Sequence, residues 1–397
     1  MAEYPSSDHS QRPATVASVT PLPLSRDSRT MKQAATVARL SLRSVVVEGA
    51  PGLPLPQSLG LATRTAVARP DTGRGALAVA SRYLWRLGAA TYRATPPDAA
   101  LYHLHAPYQF PAVYARARRT GAPIVYDAHD FYTAMERPDA AGMAERLVLH
   151  PLLARLEAAC VRHCAALITV CDGLADLYRE RYGREATVIR NCHDARLDVA
   201  PSTGIRDACD VGPDVFLVAV IGQAKAGRPT DAALAALTAL PEHAHIALLG
   251  RGHEAIATAA RMAGLAGRVH ALPPVAPWEV VPFVCGANAS LILYTPISQN
   301  YRFSLPNALF QSLAAGLPLL YPDLPEIRAV AEPRHCGLVI DPTDSAGIAS
   351  ALARIMDDAA HAASLREAAT RAGHELSWAA EESRLSELYA RLLGGSP

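Results

Sequence analysis

The chain has 397 residues, of which 50% are hydrophobic and 19% are charged. This length is enough for two domains of ordinary size, and the composition excludes a chain that is disordered throughout. The formal net charge is only +1, so no overall electrostatic attraction indicates a nucleic-acid partner. No uncharged run reaches about 18 residues, so we expect no transmembrane segment, while peripheral membrane contact stays open.

The cysteines and the N-terminus bear on the cellular compartment. The seven cysteines are odd in number and irregularly spaced, and Cys160 and Cys164 have no second Cys/His pair at zinc-site spacing. We therefore expect reduced thiols, no bound metal and a cytoplasmic protein. The polar N-terminus does not resemble a signal peptide, and residues 1–13 are predicted to be a disordered tail.

Strands and helices alternate along the first half of the sequence. A strand at 14–20, a helix at 27–40 capped by Asp27 and a strand at 44–48 form a β-α-β unit without a glycine-rich fingerprint, which disfavours a dinucleotide site there. The region 49–75 is interpreted as a loop. Further along, the pattern predicts helices at 76–94, near 108–119, at 143–163 and at 172–182, and strands at 99–105, 123–127, 166–170 and 186–190.

The helix predicted at 76–94 and the loop before it are rich in arginine. One interpretation is a basic zone that contacts an anionic lipid or acceptor. The other, which we favour, is a helix that packs on the core and exposes an arginine edge to water. The arginines are Arg64, Arg69, Arg74, Arg82, Arg86 and Arg93.

Histidines stand at or just after the ends of two predicted strands. His105 ends the strand at 99–105, and the next strand ends in Asp127-Ala128-His129-Asp130. Ligands of open α/β sheets bind beyond the carboxyl ends of the strands, so these side chains are expected near a central cleft. A lone histidine is more often structural, but two in this position favour a functional role for His129.

The second half repeats the alternation of strands and helices. The interval 192–213 contains Asp, Pro and Gly and is predicted to be a linker between a first domain at 14–191 and a second at 214–375. Strands are predicted at 215–221, 245–249, 268–272, 289–294 and 337–340. Helices are predicted at 230–239, from the loop 250–255 to about 263, at 277–284, and near 344–357, 360–372 and 376–393.

The stretch 299–321 is predicted to form a loop, a helix and a strand. Ser304 is placed as the helix cap and Pro306 in the first turn. A helix start offers free N–H groups and the positive end of the dipole, which suit a phosphate. Asn307 and Gln311 share one helix face, where a phosphate and its sugar could both be contacted. An ordinary helix with solvated polar residues is an equal alternative.

Two glycine-containing loops follow strands of the second half. The loop 222–228 carries Lys225 and Arg228, which could face a diphosphate. The loop 250–255 is close to the Gly-x-Gly-x-x-Ala pattern of NAD sites. The next strand ends in two prolines with no carboxylate to hold a ribose hydroxyl, which disfavours a dehydrogenase.

The sequence SLPNALFQSLAAGLPLL resembles the donor-binding element of the GT4-like glycosyltransferases with the GT-B fold, which often reads Ser-x-Pro-Asn-Lys-x-x-Glu-x-x-Ala-x-Gly-x-Pro-Val. The opening Asp-x-Arg helix, YDAHD, the segment that ends at Asn191 and the closing helix also resemble this family. The resemblance implies two doubly wound Rossmann-like domains that face a cleft, with the C-terminal helix 376–397 returning to the first domain.

The resemblance also implies an activity, namely retaining transfer of a hexosyl or N-acetylhexosaminyl group from a nucleotide sugar, most often a UDP-sugar. The acceptor would be a hydroxyl of a natural-product scaffold or a lipid-linked glycan, and no metal or cofactor is implied. Matching positions assign donor binding to Gly222, Gly250, Gly252, Pro273, Asn300, Ser304, Leu305, Asn307 and Gln311, catalysis to His129, Lys225 and Arg228, and the acceptor side to His105 and Asp127.

The chain departs from the family pattern at two positions. Relatives with a Glu-x7-Glu pattern carry carboxylates where this chain has Phe303 and Gln311. Gln311 still offers a neutral acceptor for a ribose hydroxyl, whereas Phe303 offers none. The departure leaves open a non-catalytic GT-B protein that supports a partner transferase. A nucleotide-sugar 2-epimerase fits less well, because the carboxylate-rich site of that family is not found.

Overall fold

The computed structural model describes residues 13–61, 63–66, 88–134 and 150–394. Over these residues the chain forms two parallel β-sheets covered by helices, with a cleft between them. The predicted α/β fold of two doubly wound domains is confirmed. The predicted tail lies almost wholly outside the described residues.

The first sheet has, within the described ranges, seven parallel strands in the order β3-β2-β1-β4-β5-β6-β7. Runs such as Val45–Val47 are apolar without alternation, as expected for strands with both faces covered. The strands are β1 (Thr15–Thr20), β2 (Arg43–Glu48), β3 (Thr63–Ala66), β4 (Leu101–Leu104), β5 (Ile124–Asp127), β6 (Ala166–Thr169) and β7 (Thr187–Val188).

The helices of the first half begin with α1 (Ser28–Arg39), which starts where the sequence predicts. The Asp27 carboxylate caps it by accepting a hydrogen bond from the Thr30 backbone N–H at 3.1 Å. Because α1 follows β1 in the chain, its start lies at the carboxyl edge of the sheet. The helices that follow are α2 (Gly88–Ala94), α3 (Phe110–Thr120), α4 (His150–His163) and α5 (Asp172–Tyr182).

One prediction for the first half needs correction, and others lie partly outside the described residues. The loop prediction for 49–75 is wrong in part, because β3 pairs in parallel with β2 as an edge strand too short to give a clear sequence pattern. The helices predicted at 76–94 and 143–163 are described only from Gly88 and His150 onward. Of the proposed basic zone, Arg69, Arg74, Arg82 and Arg86 lie outside the described residues.

The second sheet has six parallel strands in the described part of the chain, in the order β10-β9-β8-β11-β12-β13. The strands are β8 (Phe216–Ile221), β9 (Ala244–Leu249), β10 (Val269–Leu272), β11 (Ala289–Leu291), β12 (Leu319–Pro322) and β13 (Gly337–Ile340). The helices are α6 (Ile205–Cys209), α7 (Asp231–Thr238), α8 (Glu254–Met262), α9 (Val280–Val284), α10 (Gln299–Arg302), α11 (Asn307–Ala314), α12 (Pro325–Ala331), α13 (Ser345–Asp357) and α14 (Ala359–Glu375).

The loop before α11 differs from the prediction. Residues predicted as loop form the short helix α10, and the Ser304 hydroxyl donates to the Asn300 carbonyl at 3.1 Å. Ser304 is therefore not the cap of α11. Pro306 occupies the N-cap position, one place outside the first turn, and has no side-chain oxygen with which to cap the helix.

The chain crosses between the two halves twice. The first crossing follows β7, and the predicted linker 192–213 after it contains the helix α6, whose Ile205 and Cys209 are buried. The second crossing leads from α14 to α15 (Trp378–Leu393), which packs back on the first sheet beside Val16 and Leu101.

Two further observations concern the cysteines and the length of the apolar helices. The seven cysteines are free thiols, and all but Cys285 are buried. Among the helices that the structure describes, none is both long and apolar enough to cross a bilayer.

Candidate functional site

A cleft of about 710 Å³ lies between the carboxyl ends of the two sheets. Its size falls in the range of small-molecule sites, and its position is where open α/β folds bind their ligands. Residues of both halves line it. They include all three predicted catalytic residues, His129, Lys225 and Arg228, and the predicted donor-binding residues Gly222, Gly250, Asn300, Ser304, Leu305, Asn307 and Gln311.

Arg228 is the most distinctive group in the cleft. Its guanidinium lies over the Tyr294 ring, 4.4 Å from the centroid, and hydrogen-bonds to the Tyr294 hydroxyl and the Gln223 carbonyl. Burial lowers its pKa, but an arginine remains charged at any physiological pH. Within the part of the chain that the structure describes, no carboxylate forms an ion pair with Arg228. A half-buried cation without a counter-ion is suited to an anionic ligand.

Three further cations line the cleft. The Lys225 ammonium lies 5.2 Å from the centroid of the Tyr301 ring, and Arg26 and Arg251 are exposed at the cleft wall. Asp130 is the carboxylate that lines the cleft among the described residues. The cleft is therefore positively charged, although the chain as a whole is nearly neutral.

Gly222 and Gly250 allow the two loops that carry these cations to approach each other closely. At Gly222, which has a φ of 119°, a Cβ atom would lie 2.4 Å from Nη1 of Arg228. At Gly250, with a φ of 151°, it would lie 2.5 Å from the Gly222 carbonyl oxygen. His253 supports the arrangement, because its Nε2 lies 2.9 Å from the same carbonyl.

The N-terminus of α11 faces the cleft beside these loops. Leu305, Pro306, Asn307 and Ala308 all line the cavity, so the first turn of the helix points into it. With proline at the N-cap, no side chain competes for the first backbone N–H groups. Gln311, one turn further along, lines the same wall. The predicted anion-binding helix start and its polar face are thus directed at the cleft.

Two asparagines of the second half also contact the first half. Asn300 donates to an Asp130 carboxylate oxygen at 2.9 Å and accepts from the Phe131 backbone N–H at 3.0 Å. Asn307 accepts from the side-chain amide of Asn191. Both predicted donor-binding asparagines therefore have protein partners and hold the two walls of the cleft together.

His129 enters the cleft from the first half. The chain on both sides of it is held by hydrogen bonds, since the Ala128 N–H donates to the Ile168 carbonyl at 2.8 Å and Asn300 binds Asp130 and Phe131. The Nδ1 atom of His129 is buried and has no hydrogen-bond partner among the described residues. The half-buried ring thus lines the cleft with one nitrogen that has no partner among the described residues.

His105 and Asp127 do not line the cleft, contrary to the expectation of an acceptor-side position. Both are fully buried, and the Asp127 carboxylate accepts hydrogen bonds from Arg29 at 2.8–3.0 Å and from Gln33 at 2.8 Å. Burial alone would raise the pKa of Asp127, but Arg29 outweighs it and holds that pKa well below its ordinary value. Asp127 instead anchors the end of β5, two residues before His129.

The same buried cluster has donor atoms of the kind that bind metals. Ligand atoms of His103, His105 and Asp127 lie within 4.8 Å of one another. A cation there would have to share the carboxylate with the Arg29 guanidinium, in a site sealed from solvent. Burial and the neighbouring His105 lower the pKa of His103 well below its ordinary value, and its Nδ1 lies 2.6 Å from the Tyr389 hydroxyl. These residues fit a hydrogen-bonded network better than a metal centre.

Two other predicted donor-binding residues lie away from the cavity wall. Gly252 and Pro273 are exposed and do not line it, whereas Pro274 does. The structure also adds residues that sequence reasoning did not single out for the cleft. Arg26, Asp130 and Tyr294 each follow or end a predicted strand or precede a predicted helix, so their position was the available signal.

Comparison with known families identifies the class of protein. Residues 16–192 match the model of the glycosyl transferase 4-like domain, and residues 216–358 match that of the glycosyl transferases group 1. The chain therefore belongs to the GT4-like glycosyltransferases, and the predicted family and enzyme class are confirmed. A sequence search against curated proteins gives no significant match.

Solved structures share the fold at low sequence identity. The sucrose-phosphate synthase of Thermosynechococcus elongatus has a TM-score of 0.72 at 16% identity, over 96% of this chain and 100% of that chain. HepE of Anabaena, in complex with UDP and glucose, gives 0.70 at 14% identity, over 95% and 100%. WaaG, a glycosyltransferase involved in lipopolysaccharide biosynthesis, gives 0.67 at 15% identity, over 94% and 99%. These similarities establish the GT-B fold.

Proposed function

We propose that the protein is a metal-independent, retaining glycosyltransferase that moves a hexosyl or N-acetylhexosaminyl group from a UDP-sugar to a hydroxyl acceptor. The observation that carries this proposal is Arg228, a half-buried guanidinium that has no carboxylate partner among the described residues and lies in the same cleft as the start of α11. A diphosphate supplies the charge that this site lacks. The complex of the similar HepE with UDP and glucose supports uridine as the nucleotide.

Charge stabilisation supplies most of the chemistry in this proposal. As the bond from the sugar C1 atom to the phosphate oxygen breaks, negative charge grows on the diphosphate, where Lys225, Arg228 and the α11 N–H groups oppose it. The acceptor oxygen forms its bond to C1 on the same face of the sugar, and its proton passes to the departing phosphate oxygen. His129 hydrogen-bonds to the sugar or the acceptor from the opposite wall. These cations take the place of a metal ion at the diphosphate.

The first half of the chain supplies the acceptor side. Leu53, Val170 and Leu174 give this half an apolar part of the cleft lining. His129 lies beside it, together with the charged Arg26 and Asp130. A hydroxyl on a largely apolar scaffold or on a lipid-linked glycan suits this wall. We propose a cytoplasmic enzyme that needs no cofactor beyond its nucleotide-sugar substrate.

Substitution of Gln311 tests whether the cleft still binds a donor. If Gln311 accepts a hydrogen bond from the ribose, Gln311→Leu should weaken UDP binding by about 1–3 kcal/mol, because ribose hydroxyls lose their partner. Gln311→Glu should preserve or tighten binding, since a carboxylate is the stronger acceptor. Calorimetric titration with UDP measures both, and Gln57→Leu, at an exposed glutamine of the first half, is the control.

The alternative function, a non-catalytic GT-B protein that supports a partner transferase, predicts a different result. Its cleft would have lost donor binding along with the second family carboxylate, so both Gln311 substitutions would leave the titration unchanged. That outcome, with the fold intact by circular dichroism, would favour the alternative.

A further inference from the structure

One face of α1 contacts the two segments in which the chain crosses between the halves. Arg29, Lys32, Thr36 and Arg39 are spaced three, four and three residues apart, which places them along one side of the helix. The Arg29 guanidinium donates to the Ile189 carbonyl at 2.8 Å, at the start of the first crossing directly after β7. Arg39, at the far end, pairs with Asp194 at 3.3 Å. The helix thus contacts the first crossing over its whole length.

Lys32 lies at the centre of this face and contacts both crossings. Its ammonium donates to the carbonyl of Asn191 at 3.2 Å and to that of Cys192, both on the first crossing. It also lies 5.3 Å from the centroid of the Trp378 ring, on the second crossing. The indole Nε1–H of Trp378 in turn donates to Thr36 Oγ1 at 3.0 Å. One buried cation therefore contacts both segments that join the halves.

The two crossings are joined to each other at the same point. The Trp378 backbone N–H donates to the His193 carbonyl at 2.8 Å, and His193 and Ser377 form a parallel bridge. Any rotation of one half relative to the other must move this pair of segments against α1. The side-chain amide of Asn191 also reaches Asn307 at the start of α11. The contacts of Lys32 are therefore linked directly to the donor side of the cleft.

Burial of the Lys32 ammonium costs free energy, because the charged group loses contact with water. Lys32 is only 5% exposed, and burial lowers its pKa to about 7, with the Arg29 charge acting in the same direction. Cys192, Asp194 and Asp27 act in the opposite direction and favour the charged form. An uncharged side chain of equal length would fill the same volume without this desolvation cost. What the ammonium adds is its pair of hydrogen bonds to the crossing.

We propose that Lys32 is a positioning residue that fixes the relative orientation of the two halves of the cleft. In the proposed function, Lys225, Arg228 and the start of α11 face the donor from the second half, while His129 belongs to the first. Transfer requires both at one sugar, and small misplacements of reacting groups reduce the rate strongly. Only the turnover part of the following test rests on the proposed function.

Lys32→Met keeps the length of the side chain and removes its hydrogen bonds. We expect the folded variant without nucleotide to have a larger radius of gyration by small-angle X-ray scattering than the wild type. UDP affinity should change little, because Arg228 and α11 remain intact. The kcat for hydrolysis of UDP-glucose should fall about tenfold with KM nearly unchanged, a size usual for coupling between distant sites. Arg43→Met, at an exposed arginine of the same half, is the control.

A second variant separates orientation from folding. Lys32→Gln keeps an N–H donor but not the charge, and it should lie between the wild type and Lys32→Met in both measurements. If both variants had the radius of gyration and the kcat of the wild type, the proposal would be overturned. A parallel loss of UDP affinity and turnover at an unchanged radius of gyration, or failure of both variants to fold, would also overturn it. A wild type that hydrolyses no donor would count against the proposed function, while the scattering comparison would still decide the role of Lys32.

Discussion

Arg228→Met should lower the affinity for UDP about 10²-fold, while the affinity for uridine stays nearly unchanged. The guanidinium is positioned by Tyr294 and the Gln223 carbonyl, and no carboxylate among the described residues neutralises it. Removing it leaves the charge of a bound diphosphate largely uncompensated, which corresponds to about 2.7 kcal/mol. The rate of turnover should fall as well, because the diphosphate is the leaving group.

Calorimetric titrations of UDP and uridine into the two proteins measure this difference. Arg354→Met is a suitable control, because Arg354 is an exposed arginine of the same half, on α13 and outside the cleft. Equal losses for UDP and uridine would contradict the assignment and would mean that Arg228 acts on the base or on the fold of the loop. Raising the salt concentration should weaken UDP binding to the wild type more than to Arg228→Met, since the variant has lost a charge contact.

His129→Ala should lower kcat about 10²-fold or more and leave UDP affinity nearly unchanged. The imidazole belongs to the first half, whereas Lys225 and Arg228 belong to the second, and its buried Nδ1 has no partner among the described residues. We therefore propose that it acts on the sugar or the acceptor and not on the nucleotide. Steady-state kinetics of UDP-glucose hydrolysis, together with UDP titration, separates the two effects.

His129→Asn and His374→Ala complete this comparison. Asparagine keeps an amide N–H in roughly the position of the ring Nδ1 and should restore part of the rate if His129 acts by hydrogen bonding. His374 is an exposed residue of α14, and its loss should change neither kcat nor UDP affinity. Normal turnover in His129→Ala would show that the imidazole is structural.

The composition of the cleft could be predicted from local sequence because parallel sheets gather the carboxyl ends of their strands. Lys225, Arg228 and His129 each follow a strand end, and all three line the cavity. The same reasoning placed His105 and Asp127 there, and it was wrong for them. Strand position shows which edge of a sheet a residue occupies, but not whether another element seals that edge.

The partner that seals the edge lies far away in the sequence. Arg29 and Asp127 are 98 residues apart, and their buried ion pair exists because α1 packs over the end of β5. No local pattern reports such a pair. The hydrogen bonds of Lys32 to residues about 160 positions later are equally invisible in the sequence, although the lysine and its helix could both be identified.

The loop before α11 shows a limit of capping rules. Ser304 satisfies the local pattern for a helix cap, but its hydroxyl instead donates back to the Asn300 carbonyl in the additional helix α10. Both α10 and α11 form, and the local sequence does not show with which of them the Ser304 hydroxyl hydrogen-bonds. The start of α11 still faces the cleft, because Pro306 limits where that helix can begin.

Release of free sugar from nucleotide sugars tests the central claim most directly, because it requires binding, charge stabilisation and bond cleavage together. The purified protein is incubated with UDP-glucose, UDP-N-acetylglucosamine and their GDP counterparts, and the first-formed sugar anomer is followed by proton NMR. We expect slow cleavage of at least one α-linked donor that yields the α-anomer first, with Arg228→Met reducing the rate about 10²-fold or more. If the β-anomer formed first, the result would contradict retention. If the protein neither bound nor cleaved any donor, the result would contradict the assignment as a transferase.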